Sequence, residues 1–258
     1  MEAIDRRDLD LSSFERISEG EEGVVYRDGD LAFKFFKNEN LKILNNKEEK
    51  IDILSNLNID NVVKPLVKVL DKNKLCGYAM KYIDANNLFM MTKFNKMYND
   101  NVYLDIFYIQ IEYISKLLKE IHSSKYKLVV GDINSNNIIF DKEFLPYFID
   151  VDSWQVGKLN NDGYAYFYAQ YIFNRNMSFM KLNEDTDRLC LMLLSLIMPF
   201  ENRCLDDIST DEFDEKCEDI EGLSALHDYF IMLKEENERM PEVPYVGDVL
   251  EKSLKIER

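Results

Sequence analysis

The stretch from Gly131 to Asp150 constrains this chain most, because it places three polar residues around two short apolar runs. Asp132 is followed five residues later by Asn137, and Asp150 comes thirteen residues after Asn137. The apolar runs predict one strand on each side of a polar turn at 141–143. A plain β-hairpin, whose Asp and Asn residues only form turns, is the alternative interpretation.

Phosphoryl transfer needs side chains of these types. A carboxylate and an amide oxygen can hold the Mg²⁺ that bridges phosphate oxygens, and another carboxylate can orient the attacking hydroxyl. Two strands joined by a tight turn can deliver all three groups to one place. The Asp, Asn and Asp of this segment therefore favour a phosphoryl-transfer site.

The N-terminal part predicts three strands with turns between them in the run ISEGEEGVVYRDGDLAFKFFK. Asp28-Gly29 is a strong hairpin signal between the second and third strands. Gly20 and Gly23 would let the backbone approach phosphates closely, and Lys34 follows on the third strand, eleven residues beyond Gly23. Two glycines at this spacing more often form a simple turn, so the signal comes from the order of features along the chain.

Helical spacing of apolar residues predicts helices over 39–57 and 102–122, and a third in the run EDTDRLCLMLLSLIM. Two strands around the turn 71–74 lie between the first two helices. The helix over 102–122 ends just before the Gly131 to Asp150 segment.

In this order, the features over roughly residues 17–197 resemble the protein-kinase-like superfamily. The DVDSW sequence that begins at Asp150 is similar to the metal-binding motif of bacterial atypical serine/threonine kinases. The resemblance implies an α+β, two-lobed fold. Its N-lobe, residues 1–83, would be a small antiparallel sheet with one helix, and its C-lobe, residues 84–258, would be mainly helical with a reduced set of closing helices.

The resemblance also implies site residues and the cofactors ATP and Mg²⁺. Asp132 would be the catalytic base, Asn137 and Asp150 would ligate the metal, and Lys34 would bind the α- and β-phosphates. Glu48 is the expected partner of Lys34 and is preferred to Glu49, although an ordinary charged helix surface explains either residue equally well. The remaining predicted nucleotide contacts are Ser18, Gly20, Gly23, Val25, Ala32, Met80 as gatekeeper, the backbone of Lys81 and Ile83, and Ile139.

The chain departs from the kinase pattern at several positions. Ser18 stands where the first glycine of the loop is expected, and Val130-Gly131 replaces the usual His-Arg pair. Asn134 is predicted to be catalytic together with Asp132 and Lys34, although it replaces the Lys that commonly steadies the transferring phosphate. Asp152 replaces a Gly and binds metal, braces the loop or faces solvent. No clear peptide-docking segment follows.

Two further residues match structural positions of the kinase fold. Asp187 would brace the backbone of the catalytic loop through N–H groups, because a buried carboxylate needs such partners. The alternative is a helix start with Asp185 or Thr186 as N-cap and Asp187 favoured by the helix dipole. His122 is expected to pack at the end of its helix in a structural role.

Composition narrows the classes of partner. The net charge of −16 disfavours direct binding to nucleic acid or anionic membranes. No apolar run is long enough for a membrane span, the N-terminus is too charged for a secretory signal, and the four cysteines lack metal-ligand spacing. A cytoplasmic protein with reduced thiols is expected. The aromatic cluster of residues 164–173 predicts core packing of a shortened loop, with an exposed Tyr as a candidate acceptor.

The leading hypothesis is an ATP- and Mg²⁺-dependent phosphotransferase, an atypical serine/threonine protein kinase with an unknown protein or small-molecule acceptor. A pseudokinase, or nucleotide-binding scaffold that acts through protein partners, is the first alternative. It is favoured by the acidic glycine loop and by Asn134. A small-molecule kinase of the aminoglycoside phosphotransferase type is the second, suggested by the Gly131-Asp132 pair.

Overall fold

The computed structural model describes residues 1–20, 22–37, 41–88, 90, 93, 102–159, 182–235 and 242–254. The fold is α+β, and the chain divides into two compact units. Unit 1 comprises Met1–Asp84 together with Phe148–Asp152, and unit 2 comprises Ala85–Tyr147 and Ser153–Arg258. Residues 148–152, which the resemblance predicts in the second lobe, belong to unit 1.

Unit 1 is built on a six-stranded sheet. Its strands are β1 (Glu2–Asp5), β2 (Glu15–Glu19), β3 (Gly23–Asp28), β4 (Leu31–Phe36), β5 (Pro65–Asp71) and β6 (Lys74–Lys81). Their order is β1-β5-β6-β4-β3-β2, with β1 parallel to β5 and the other pairs antiparallel. The hairpin predicted from Asp28-Gly29 is confirmed, because Asp28 pairs with Leu31 and Gly29 has a φ of 56°.

The two faces of this sheet differ in character. Phe33, Phe35, Val69 and Ala79 form a buried apolar cluster on one face. Side chains alternate along a strand, so Ala32 and Lys34 lie on the opposite face of β4. Lys34 pairs with Val25 on one side and with Tyr78 on the other, and therefore shares its face with both. The sheet thus presents a buried lysine on the face that lies away from the aromatic cluster.

Helix α1 (Leu41–Leu54) follows β4 and contacts β5 and β6. Ile51 and Leu54 are completely buried, as the predicted apolar stripe requires. Lys47 and Lys50 are buried on the same side of the helix. The inward face of α1 therefore carries two cations beside its apolar residues.

Unit 2 is mainly helical in its described part. Its helices are α2 (Val102–His122), α3 (Glu184–Ile197), α4 (Thr210–Asp219), α5 (Glu221–Ser224), α6 (His227–Glu235) and α7 (Val246–Leu254). Helix α2 contacts α3, α5 and α7. Gly222 permits the close approach of α5, because a Cβ there would lie 2.3 Å from the Cγ atom of Tyr108.

Short strands lie in the Gly131 to Asp150 segment or in the stretches before and after it. They are β7 (Asn86–Asn87), β8 (Leu128–Val129), β9 (Ile138–Phe140), β10 (Pro146–Phe148) and β11 (Gln155–Val156). The predicted hairpin is confirmed, since β9 and β10 are neighbours in one sheet and Asp141 caps the turn by accepting from the backbone N–H groups of Glu143 and Leu145. Within unit 1, Phe148 exchanges backbone hydrogen bonds with Asn61 and Val63.

Several expectations concern residues or properties beyond these elements. The aromatic cluster 164–173 lies outside the described residues, as does part of the acidic C-terminal run. All four cysteines have free thiols. Within the described ranges, no helix is both long enough and apolar enough to span a bilayer.

Candidate active site

Lys34 is the centre of a charged cluster in unit 1. It lies on β4 and its side chain is 5% exposed. Its Nζ atom donates to Asp150 and, at 2.8 Å, to Oδ1 of Asp152. We call Lys34, Lys47, Glu22, Asp150 and Asp152 the lysine–carboxylate cluster. The predicted phosphate-binding lysine and the predicted metal-binding aspartate are therefore in direct contact.

Asp152 joins the two lysines of the cluster and is completely buried. Its Oδ1 atom accepts from Lys34 and, at 2.8 Å, from the Tyr78 hydroxyl, while its Oδ2 atom accepts from Lys47 at 2.9 Å. Burial opposes ionisation of Asp152, but Lys34 and Lys47 outweigh it and hold its pKa well below the usual range. Of the three roles left open by the sequence, bracing is the one that this geometry fits.

Lys47 is the second cation of the cluster. Besides Asp152, its Nζ atom donates to Oε2 of Glu22 at 2.8 Å, and the same oxygen lies 3.8 Å from Nζ of Lys34. Burial by itself would lower the pKa values of both lysines, but Asp152 and the other acids raise them, so both side chains are ammonium ions. Glu22 thus places a carboxylate next to two buried cations.

The predicted pairing of Lys34 with Glu48 is wrong. Glu48 instead accepts from Lys68 on β5 at 2.9 Å, and Asp52, one helical turn later, also pairs with Lys68. Successive side chains of a helix point about 100° apart, so two adjacent residues cannot both face the same way. Lys47 faces inward and Glu48 does not.

Asp150 is the member of the cluster that best fits a metal ion. Its side chain is 31% exposed, and its backbone has a φ of 62°, in the left-handed region. Burial raises its pKa, and the neighbouring Asp152 adds to this effect, against the opposing influence of Lys34. Asp152 does not fit a metal ligand, because its buried oxygens are committed to Lys34, Tyr78 and Lys47. Its prediction as a metal ligand is therefore corrected.

In unit 2, the side chain of Asp132 is held by two asparagines. Its Oδ1 atom accepts from Nδ2 of Asn134 at 2.9 Å, and its Oδ2 atom accepts from Nδ2 of Asn137 at 2.7 Å. Both carboxylate oxygens are therefore oriented by neutral amide donors. The amide nitrogen of Asn137 faces Asp132, which turns its oxygen, the atom that would ligate a cation, to the other side.

Asn134 braces the loop in which it lies. Its amide oxygen accepts from the backbone N–H groups of Asn136 and Asn137, at 2.8 and 3.3 Å. Since its nitrogen is bonded to Asp132, both ends of the amide are engaged within the loop. This is the Asx-type turn expected of an asparagine. The kinase pattern instead has a lysine at this position. Asn134 supports Asp132 and does not replace that lysine.

Asp187 fixes the backbone that leads into this loop, as predicted. Its two carboxylate oxygens accept from the N–H groups of Val130 at 2.7 Å and Gly131 at 2.8 Å. Oδ2 also lies 3.0 Å from Nε2 of His122. The alternative N-caps, Asp185 and Thr186, are wrong, because the N-cap of α3 is Asn183, which forms a capping box with Thr186. Asp187 does lie in the first turn of the helix, where the dipole favours an acid. The structural role expected for His122 is confirmed by its contacts with Asp187 and the Tyr245 hydroxyl.

The predicted nucleotide contacts are distributed over both units. Ala32 pairs directly with Met80, and their strand positions lie on the face that also carries Val25 and Lys34. Ser18 lies on exposed β2, Lys81 ends β6, Ile83 follows β6, and Ile139 belongs to unit 2. Four of the predicted residues, Val25, Ala32, Lys34 and Met80, thus share one face of the unit 1 sheet.

The two loop glycines have a structural explanation. The N–H of Gly20 donates to the carbonyl of Gly23 at 2.9 Å, which closes a turn between β2 and β3. A Cβ at Gly23 would lie 2.6 Å from the carbonyl oxygen of Phe35, so this position needs glycine for strand pairing. Among the residues that the structure describes, none would lie within 4 Å of a Cβ at Gly20. Gly20 is therefore the position at which space remains for another group.

Sequence reasoning missed Lys47, Tyr78 and the inward side of Glu22. Lys47 could have been found from its spacing, because it lies four residues before Ile51 and seven before Leu54, both predicted to face the core. Tyr78 could have been found by extending the alternation of β6 from Met80. No local signal identified Glu22, whose partners are distant in sequence.

Within the described ranges, no group of three or more His, Cys, Asp or Glu side chains is arranged as a metal site. The predicted magnesium ligands, Asn137 and Asp150, include an amide oxygen and belong to different units, so a cluster of this kind is not required by the prediction. The chain matches no protein-family model. No curated protein has significant sequence similarity to it.

Proposed function

We propose that this protein is an ATP- and Mg²⁺-dependent phosphotransferase with a two-lobed, protein-kinase-like fold, and that it acts as an atypical serine/threonine kinase. The main support is the contact between Lys34 and Asp150, residues that lie 116 positions apart in the chain. The kinase resemblance implies that these two residues bind the phosphates and the metal of one nucleotide. A plain hairpin with turn-forming aspartates gives no reason for this contact.

In unit 1, Lys34 and Asp150 are the residues proposed to bind the nucleotide and its metal. When bound, ATP supplies the phosphoryl group and Mg²⁺ neutralises charge on its phosphate oxygens. Asp150 and the amide oxygen of Asn137 are the ligands proposed for the metal, since Mg²⁺ prefers oxygen donors. Lys34 would neutralise the non-transferred phosphates, for which an ammonium ion kept charged by its carboxylate partners is suited.

Asp132 is the group proposed to accept the proton of the acceptor hydroxyl. The amides of Asn134 and Asn137 orient both of its oxygens, so little reorganisation is needed when the hydroxyl arrives. Asp187 holds the backbone just before it. The acceptor, a protein or a small molecule, follows from neither group.

Thermal unfolding tests the nucleotide site. Ligand at about a hundred times its dissociation constant adds about 2.7 kcal/mol, which corresponds to a rise of roughly 5 to 10 °C in Tm for a chain of this size. We expect this rise with ATP and Mg²⁺ for the wild type and its loss in Asp150→Asn. Transfer of the γ-phosphate to a protein or metabolite mixture should disappear in Asp132→Ala while nucleotide stabilisation persists. Absence of any nucleotide-dependent rise in the wild type would contradict the proposal.

A scaffold without phosphotransfer is the second candidate, and Glu22 is the observation that favours it. Its carboxylate lies against Lys47 and within 3.8 Å of Lys34, so the cluster already contains an anion where phosphate would bind. A scaffold of this kind, including one that binds ATP, would transfer no γ-phosphate to any acceptor. The transfer assay therefore separates the two functions.

A further inference from the structure

We infer that Asp152 is the residue that positions Lys34 for the phosphates of ATP, and that Lys47 on α1 is the counter-ion that holds Asp152. This inference rests on the proposed function. It replaces the lysine–glutamate pair predicted between β4 and α1 with a lysine–aspartate–lysine arrangement. Asp152 is a positioning residue, because it acts through Lys34.

Lys34 is anchored most firmly by Asp152. A lysine side chain has four rotatable carbon–carbon bonds, so a buried partner is needed to hold its ammonium group in one place. Of the three acids near its Nζ atom, Asp152 is completely buried, Asp150 is 31% exposed and Glu22 is 3.8 Å away. Tyr78, opposite Lys34 in the sheet, donates to the same oxygen of Asp152. Asp152 is therefore the most firmly held partner.

Helix α1 supplies the cation that holds Asp152. Position 47 faces the cluster, and it carries a cation where a lysine–glutamate pair would need an acid. A buried carboxylate between two ammonium ions gives the trio a net charge of +1, from two lysines and one aspartate. The two lysines bind opposite oxygens of Asp152, so Lys47 fixes the carboxylate without competing for the atom that holds Lys34. The trio by itself is cationic, whereas Glu22 and Asp150, which pair with the same lysines, bring the whole cluster to a net charge of −1.

Glu48, the acid predicted to pair with Lys34, has another partner. Its carboxylate pairs with Lys68 and its side chain is 41% exposed. Asp52 pairs with the same lysine and is 46% exposed, which makes it a matched control on the same face of the same helix. The two assignments for the positioning acid thus make opposite predictions for Asp152 and Glu48.

Steady-state kinetics of ADP formation by the full chain with ATP and Mg²⁺ test the inference in Asp152→Asn, Lys47→Met, the double variant, Glu48→Gln and Asp52→Asn. We expect Asp152→Asn to raise KM for ATP at least tenfold and to lower kcat, and Lys47→Met to do the same more weakly. The double variant should lose less than the product of the two single losses, because both act on one carboxylate. Glu48→Gln and Asp52→Asn should each change kcat/KM less than twofold. A tenfold loss in Glu48→Gln with no loss in Asp152→Asn would overturn the inference.

A second measurement does not depend on activity or on correct assignment of the function. Acetylation of Lys34 by acetic anhydride, followed by mass spectrometry at fixed pH, reports the free amine fraction and its accessibility. We expect Lys34 in Asp152→Asn to react at least tenfold faster than in the wild type, with Lys68 unchanged as the internal standard. Equal Lys34 rates in the two folded proteins would refute the anchoring role. Two results together would separate the inference from the proposed function: no ATP-dependent rise in Tm for the wild type, and faster acetylation of Lys34 in Asp152→Asn. In that case the proposed function fails and the anchoring of Lys34 by Asp152 stands.

Discussion

Removal of the Asp187 carboxylate should destabilise unit 2 strongly. The side chain is 1% exposed and accepts from two backbone N–H groups, at 2.7 Å from Val130 and 2.8 Å from Gly131. Hydrogen bonds to a charged group contribute about 1.5 to 3 kcal/mol each, and a buried donor left without a partner carries the full cost of its desolvation. Two such bonds predict a loss of about 3 to 6 kcal/mol in the free energy of unfolding for Asp187→Ala.

Urea unfolding followed by circular dichroism measures this loss. Asp185→Asn is the matched control, because Asp185 lies in the same first turn of α3 but is 41% exposed and paired with Arg188. The control should lose less than about 1 kcal/mol, as exposed ion pairs do. Asp187→Asn should lose less than Asp187→Ala, since it keeps one acceptor oxygen for the loop. A loss below about 1 kcal/mol in Asp187→Ala would show that the bonds to Val130 and Gly131 do not hold this loop.

Three other perturbations give separate tests. Glu22→Gln should tighten binding of ATP and Mg²⁺ by about three- to tenfold in a calorimetric titration, because the phosphates no longer compete with a carboxylate for Lys47; unchanged or weaker binding would contradict this role. Gly222→Ala should lower the free energy of unfolding by about 1 to 3 kcal/mol through overpacking against Tyr108, whereas Gly20→Ala, which has open space, should be close to neutral in the same urea titration. Burial raises the pKa of Cys217 to about 11, so its alkylation at pH 8 should be about a hundredfold slower than in the unfolded chain. Because the folded state favours the neutral thiol, this group's contribution to stability is complete below pH 9 and falls between pH 9 and 11, and a rate equal to that of the unfolded chain would refute the burial.

The elements that could be predicted from the sequence are those whose conformation depends on residues close together in the chain. The turn at Asp28-Gly29 and the hairpin around Asp141 depend on residues that are neighbours in the chain. The amphipathic pattern over 102–122 defined α2 with its observed limits. The role of Asp187 was implied by the kinase resemblance, and a buried carboxylate at that position must find N–H donors nearby.

The arrangement of the cluster could not be predicted in the same way. Residues 47–50 are all charged, so the pattern does not say which of them faces inward, and one position of rotation exchanges Lys47 for Glu48. The pairing of β1 with β5 and the membership of Phe148–Asp152 in unit 1 join segments that are far apart in sequence. Such contacts are fixed by packing of the whole unit, on which local propensity carries no information.

The discontinuity of unit 1 affects the order in which the protein can fold during synthesis. Its first 84 residues leave the ribosome well before Phe148–Asp152, which supply a buried aromatic ring and the carboxylate between two buried lysines. Until those five residues emerge, the nascent sheet has two ammonium groups that it cannot bury without their main counter-charge. Unit 1 therefore cannot complete its folding as an N-terminal fragment, and its final step awaits translation of Asp152.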